Sequence, residues 1–266
     1  MTANCSECLD YMSAIVAGRA NISREELHRH RRYLQTTLFI VSCSLRKAPG
    51  GQHPLWEDAI NNDELSQFRE FNPYRITLAE AVSKNQAVRY HRSAYSKDRG
   101  EARALNARIF DSETLPSIRR YSGQLYHHLK PDVIEDLATG RIGNLLIISA
   151  LNGPTSPRDL LPNYDLMMRD SIDGETLSEK WASIIKSCGS GSLASFTKQF
   201  DRCVAPVSSD YTDVARAIAA TGSIPCFYVP FTSSGGSNLA GRLLHAIFSE
   251  LRRKRWFPRI PTQEQE

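Results

Sequence analysis

Three short apolar runs, set far apart and separated by helix-patterned stretches, constrain this chain most. They are Thr37-Leu-Phe-Ile-Val-Ser-Cys-Ser, Asn144-Leu-Leu-Ile-Ile-Ser-Ala and Ile224-Pro-Cys-Phe-Tyr-Val-Pro-Phe. The first two are rich in branched residues, carry no charge and show no polar alternation. Strands of that kind are buried on both faces, which happens in sheets covered by helices on both sides. A fourth strand is expected near Asp201 to Val207. Between them the pattern is helical over residues 1–35, much of 57–108, 178–186 and 213–220, and from Gly235 to beyond Leu251. Ser23 followed by Glu26 has the spacing of a capping box. Asn72-Pro73 and Leu151-Asn-Gly-Pro are expected to be turns. Strands alternating with helices specify an α/β fold: a single-domain mixed sheet flanked by helices. With 266 residues, 41% of them apolar, one domain can bury a full core. The expected division is a helical N-terminal extension over 1–35, the α/β domain over 36–257, and a flexible tail over 258–266.

Bulk properties narrow the function classes. The net charge of +4 is mildly basic and does not by itself imply a nucleic-acid partner. Arg and Lys gather at Arg24 to Arg32, Arg89 to Arg108, Arg119 to Lys130 and Arg252 to Arg259. These runs read either as solvated helix faces or as parts of one anionic site. No apolar run reaches about 18 residues, so no membrane span is expected. Glu7 and Asp10 interrupt the start, which has no basic leader, so a signal peptide is not expected and a cytoplasmic location is. Among six cysteines, Cys5 and Cys8 make a lone C-x-x-C with no second pair to complete a zinc ribbon. Adjacent His127 and His128 would diverge by about 100° on a helix and not share an ion. The expectation is no metal, no cofactor, no disulfide framework, and a monomer.

In open α/β sheets, ligands sit outside the carboxyl ends of the strands. The loops after Val41, Ile148 and Val207 are therefore expected to meet. Ser42-Cys-Ser-Leu-Arg-Lys47 offers hydroxyls, backbone donors and two cations to a phosphate-like anion. Ser44 and Lys47 share the S-x-x-K spacing of serine acyl-enzymes, but the rest of that signature is missing. Cys43 is either a low-pKa thiol beside Arg46 and Lys47 or a buried core residue, and alternation favours the core. Arg120, Tyr121 and Gly123 form a second cluster. Arg158 and Asp159 lie in a loop stiffened by Pro157 and Pro162; Arg158 either clamps an anion or pairs with Asp159 to pin the loop. Arg89-Tyr-His-Arg-Ser-Ala-Tyr interleaves basic and aromatic residues, as nucleic-acid faces do and as plain amphipathic surfaces also do. The glycine-rich helix entry at Gly235 could attract an anion but lacks any full nucleotide-binding spacing.

Several segments together resemble the YaaA (UPF0246) peroxide stress family. Phe39-Ile-Val-Ser-Cys-Ser-Leu-Arg-Lys47 is similar to its opening strand and loop, and Arg120-Tyr-Ser-Gly-Gln-Leu-Tyr126 to a segment with tyrosines flanking a glycine. The stretch from Leu146 through Asn152-Gly153 and Arg158-Asp159 to Tyr164 resembles the family's long central signature. Trp181, Val207-Ser-Ser-Asp-Tyr211 and the helix from Gly241 and Arg242 to Phe248 follow in the family's order. Asn152 stands where relatives carry an aromatic residue, and Ser234 to Gly241 lacks the cations usual there. The resemblance implies a mixed α/β fold with a positively charged cleft, DNA binding, and protection against peroxide damage in the cytosol.

Two functional readings follow, with a third in which the chain is a structural partner whose site is vestigial. One is a non-catalytic protein binding DNA or another nucleic-acid-like anion in a basic cleft at the strand ends. The other is an enzyme acting on a nucleotide, nucleoside or similar small anion. In the second, Ser42, Ser44 and Lys47 hold phosphate, Arg158 clamps it, and Asp159 or Asp210 is the general base. Arg120, Tyr121, Gly123, Tyr164, Ser209 and Arg242 complete the expected anion-binding set.

Overall fold

The apolar runs become neighbouring parallel strands. A computed structural model of the chain describes residues 5–17, 19–91, 99–188, 191–229 and 236–252. Its main sheet contains β1 (Thr37–Ser42), β2 (Leu145–Ser149), β3 (Gly153–Thr155), β4 (Arg202–Ala205) and β5 (Cys226–Tyr228). Their spatial order is β5-β4-β1-β2-β3. The first four in that order run parallel, and β3 returns antiparallel beside β2. The turn expected at Leu151-Asn-Gly-Pro is thus a reversal that continues as an edge strand.

Alternation divides the apolar residues of β1, β2 and β4 between two layers. Leu38, Ile40, Leu146, Ile148, Cys203 and Ala205 face one; Phe39, Val41, Leu145, Ile147 and Val204 face the other. Eight helices matter here: α1 (Cys5–Val16), α2 (Asn72–Ser83), α3 (Gln124–His127), α4 (Pro131–Ala138), α5 (Leu177–Ser187), α6 (Ser192–Thr197), α7 (Thr212–Gly222) and α8 (Gly236–Arg252). Residues of α2, α5, α6 and α7 cover the first layer, and residues of α1, α3, α4 and α8 the second. Cys8, Met12, Ile15 and Val16 of α1 sit in that second core. Side chains of Cys5–Val16, Arg24–Arg29 and Arg31–Gln35 therefore contribute to this core. Cys8 is buried there.

Local signals explain the differences from the sequence reading. Asn72-Pro73 starts α2 and is not a turn, because proline is pre-organised for the first helical turn. Ser23 accepts from Glu26 N, but the Glu26 carboxylate turns to Arg29, so only half the capping box forms. The complete box is at the start of α5, between Thr176 and Glu179. Two three-stranded sheets of short segments, Gln52–Leu55 with Glu113–Pro116 and Leu160–Leu161, and Val88–Arg89 with Ser171–Ile172 and Glu175–Thr176, fall below what periodicity can reveal. The 258–266 tail, Gly235, and residues 92–98 of the basic-aromatic stretch lie outside the described residues.

Candidate functional site

The loop leaving β1 is held from one side by the segment Arg120–Tyr126. Lys47 and Tyr121 form an antiparallel bridge. Ala48 N donates to Arg120 O at 2.7 Å and Ser122 N to Arg46 O at 3.0 Å. The Tyr126 hydroxyl donates to the Ser42 carbonyl at 2.7 Å. Gly123 lies so close that a β-carbon there would run into the Ser44 hydroxyl. Arg120 belongs to this clasp rather than to a ligand site. Its buried guanidinium donates to the carbonyls of Ala48 (2.6 Å), Gly50 (2.8 Å), Glu113 (2.8 Å) and Leu161 (3.2 Å). Burial lowers its pKa to about 10.

Above the sheet, the held loop meets the loops after β2 and β4. The Tyr164 hydroxyl lies 2.9 Å from both the Tyr121 hydroxyl and Ser149 Oγ, Ser149 being the last residue of β2. Lys47 Nζ sits 4.0 Å from the centre of the Tyr164 ring and 5.8 Å from that of Tyr121. It also donates to Ser44 O at 3.2 Å. Cys43 Sγ, just past β1, lies 3.3 Å from the hydroxyl of Tyr211, just past β4. The chain leaves β1 towards β2 on one side and β4 towards β5 on the other. The crevice between β1 and β4 is therefore the point where the strand order reverses, the usual ligand position in such sheets.

The cluster has a half-buried rim of Ser42, Cys43, Ser44, Lys47 and Tyr211 over a buried floor of Tyr121, Tyr126, Ser149 and Tyr164. Burial pushes all four phenols, Tyr121, Tyr126, Tyr164 and Tyr211, above the usual tyrosine range. They stay neutral near pH 7, and Lys47 places its ammonium over the floor. An ammonium on aromatic faces beside hydroxyls suits a small anion carrying a flat group.

The remaining expected residues lie elsewhere or are already engaged. Arg158 is exposed and its side chain lies along Gly140. With Gln67, Leu137, Ile142 and Leu145 it lines a small enclosure at the amino end of β2, the opposite end from Lys47. The shared cationic hollow expected of Lys47, Arg120 and Arg158 does not form. Asp159 is buried, accepting from the hydroxyls of Ser66 and Ser156, from Ser156 N at 3.0 Å and from Gln67 N at 3.4 Å. Burial raises its pKa, opposed chiefly by the charge of Arg75. Four donors on two oxygens make it a pin for the 156–159 turn, with no lone pair aimed outward to serve as a base. Asp210 pairs with Arg169 at 2.7 Å. Ser209 is exposed beside it, and Arg242 is exposed on α8.

Other residues escaped the sequence reading. Arg75 is buried and donates to Asn152 O, Phe68 O, Asn72 Oδ1 and Pro154 O, fixing the reversal after β2. Asn152 is 1% exposed, and among the described residues its carboxamide has no partner on either atom. Ser149 joined the cluster through tertiary contact, its sequence hint being its place at the end of an apolar run; Tyr126 and Tyr211 end two of the family-like segments but were not in the expected anion-binding set. Among the described residues, no group of three or more His, Cys, Asp or Glu could hold a metal ion, and no helix is long and apolar enough to cross a membrane.

The family model of the peroxide stress protein YaaA matches residues 38–221. The chain belongs to this family. A UPF0246 protein of Corynebacterium efficiens is 31% identical over 160 residues, covering 58% of this chain and 62% of that relative. The chain therefore matches less than two thirds of the relative's length. The YaaA-like segments meet at the strand ends: Ser42–Lys47, Arg120–Tyr126, Ser149–Tyr164 and Tyr211 are joined by the contacts above. Trp181 Nε1 donates to Ala150 O at 3.1 Å, supporting the same turn. Gly153, at φ 64°, leaves the room that the Trp181 ring fills.

Proposed function

We propose that this YaaA-family protein serves peroxide-stress defence by holding a nucleotide-like anion at the carboxyl ends of β1, β2 and β4. The observation that carries the reading is Lys47 Nζ, 4.0 Å above the Tyr164 ring and beside the Ser42–Ser44 loop at the strand-order reversal. Phosphate would meet the Lys47 ammonium, the hydroxyls of Ser42 and Ser44 and the loop's backbone donors. The base would lie against Tyr211, the half-buried phenol on the rim, since every base offers a face for stacking.

The ligand is a single nucleotide unit, free or within a strand, rather than a long duplex. Arg120 is buried, Arg158 lies at the other end of the sheet, and the loop itself carries Arg46 and Lys47. Two cations neutralise about two phosphates, so log affinity for a single strand should fall with log salt at a slope of about −1.4. Binding rather than turnover is the reading, because Asp159 and Asp210 are both engaged elsewhere.

The test is titration of the whole protein with a nucleoside monophosphate and a short single-stranded oligonucleotide across a salt series. Both should bind with a shallow slope, and Lys47→Met should weaken both at least tenfold. A nucleoside monophosphate that fails to bind, or tight duplex binding with a steep slope indifferent to Lys47→Met, would overturn the reading.

A further inference from the structure

Away from the tyrosine cluster, two thiols face each other across the edge of the main sheet. Cys203 of β4 and Cys226 of β5 are register partners on adjacent parallel strands. Both side chains are on the same face: Cys203 lies in the first core layer, and Cys226 packs against that layer. Neither is in a disulfide. Neighbouring strands run about 4.7–4.9 Å apart. That spacing lies within the roughly 4.4–6.8 Å between α-carbons that a disulfide requires, and the β-carbons need to close by less than about 1 Å.

The two thiols are not equivalent. Cys203 is wholly buried, whereas Cys226 is half-buried on the edge strand. The interaction between the paired thiols holds Cys226 below the usual thiol range and, together with burial, pushes Cys203 above it. Arg216 of α7, stacked 5.9 Å from the Tyr228 ring, adds positive charge beside Cys226. A thiolate is the nucleophile in thiol oxidation, and a second thiol in reach captures the product.

We propose that Cys226 and Cys203 form a dithiol oxidised by hydroperoxides, with Cys226 reacting first and Cys203 closing the disulfide. The Cys226 sulfur attacks one peroxide oxygen. An S–O bond forms, the O–O bond breaks, and the departing oxygen takes a proton to leave as water or an alcohol. The Cys203 sulfur then attacks the resulting sulfenic acid. The S–S bond forms, the S–O bond breaks, and the hydroxyl leaves with the Cys203 proton as water. Two thiols supply the two electrons that reduce one hydroperoxide, and a thiol reductant reverses the change. None of this depends on nucleotide binding, since neither cysteine lies in the tyrosine cluster.

The experiment treats the reduced full-length protein with one equivalent of hydrogen peroxide and maps its peptides without reduction. A linked peptide joining Cys203 to Cys226 is expected as the main product, unchanged in Cys188→Ser. In Cys203→Ser, Cys226 should accumulate as sulfenic acid and be captured by a dimedone-type reagent. Cys226→Ser should consume peroxide at least tenfold more slowly than the unaltered protein. If the unaltered protein gives no linked pair while other thiols oxidise, or if Cys226→Ser consumes peroxide at the original rate, the proposal is wrong. The mapping of the unaltered chain decides the matter even if a variant does not fold.

Discussion

Lys47 and Arg120 look alike in sequence, each a cation beside hydroxyl and aromatic residues, yet burial separates their roles. Arg120 is buried and gives its donors to four carbonyls. Arg120→Met should therefore destabilise the protein by roughly 3 kcal/mol. Lys47→Met should change stability by less than about 1 kcal/mol, both read by urea denaturation. Single-sequence reasoning found the charges, but which ones were buried depended on tertiary contacts it could not see. The phenols make a pH prediction. Burial raises the pKa values of Tyr121, Tyr126, Tyr164 and Tyr211, while unfolded tyrosines ionise near 10. Above that pH the native state holds more protons than the unfolded state. The contribution of these tyrosines to stability is complete below about pH 10 and is lost as pH rises further. Unfolding measured from pH 8 to 12 should show that fall, and Tyr164→Phe should reduce its slope; an unchanged slope would remove Tyr164 from the buried floor. Asn152, buried with a carboxamide that has no partner among the described residues, predicts the reverse of most core changes. Asn152→Leu should raise stability by about 1 kcal/mol, seen as a higher melting temperature.

At the scale of elements, the clasp of 46–48 on 120–122 holds the loop proposed to bind the anion. Gly123→Ala would push a β-carbon into Ser44 and displace that loop. It should cost about 1–3 kcal/mol and weaken nucleotide binding, whereas Gly174→Ala, which meets nothing, should leave binding intact. The long apolar strands and the helices α5 and α7 were legible because their periodicity spans many residues. The capping boxes show the limit. Ser23/Glu26 and Thr176/Glu179 have the same spacing, but nearby Arg29 draws the first glutamate away. Two- to four-residue strands carry too few side chains for a pattern, so both small sheets were invisible until their partners were placed.

For the whole molecule, topology matters more than net charge. The loops after β1, β2 and β4 were expected to meet, because carboxyl ends of parallel strands share one edge, and their residues do touch. Arg158 was misplaced because its loop follows β3, which runs antiparallel and carries the chain back to the other end of the sheet. One reversed strand thus separates Arg158 from Lys47, so the expected multi-cation groove does not form. The most direct test is a crystal of the protein soaked with a nucleoside monophosphate. The account predicts phosphate density beside Lys47 Nζ and Ser44, with the base against Tyr211. A nucleotide seated instead on Arg158 or Arg242, with the tyrosine cluster empty at saturating ligand, would contradict it.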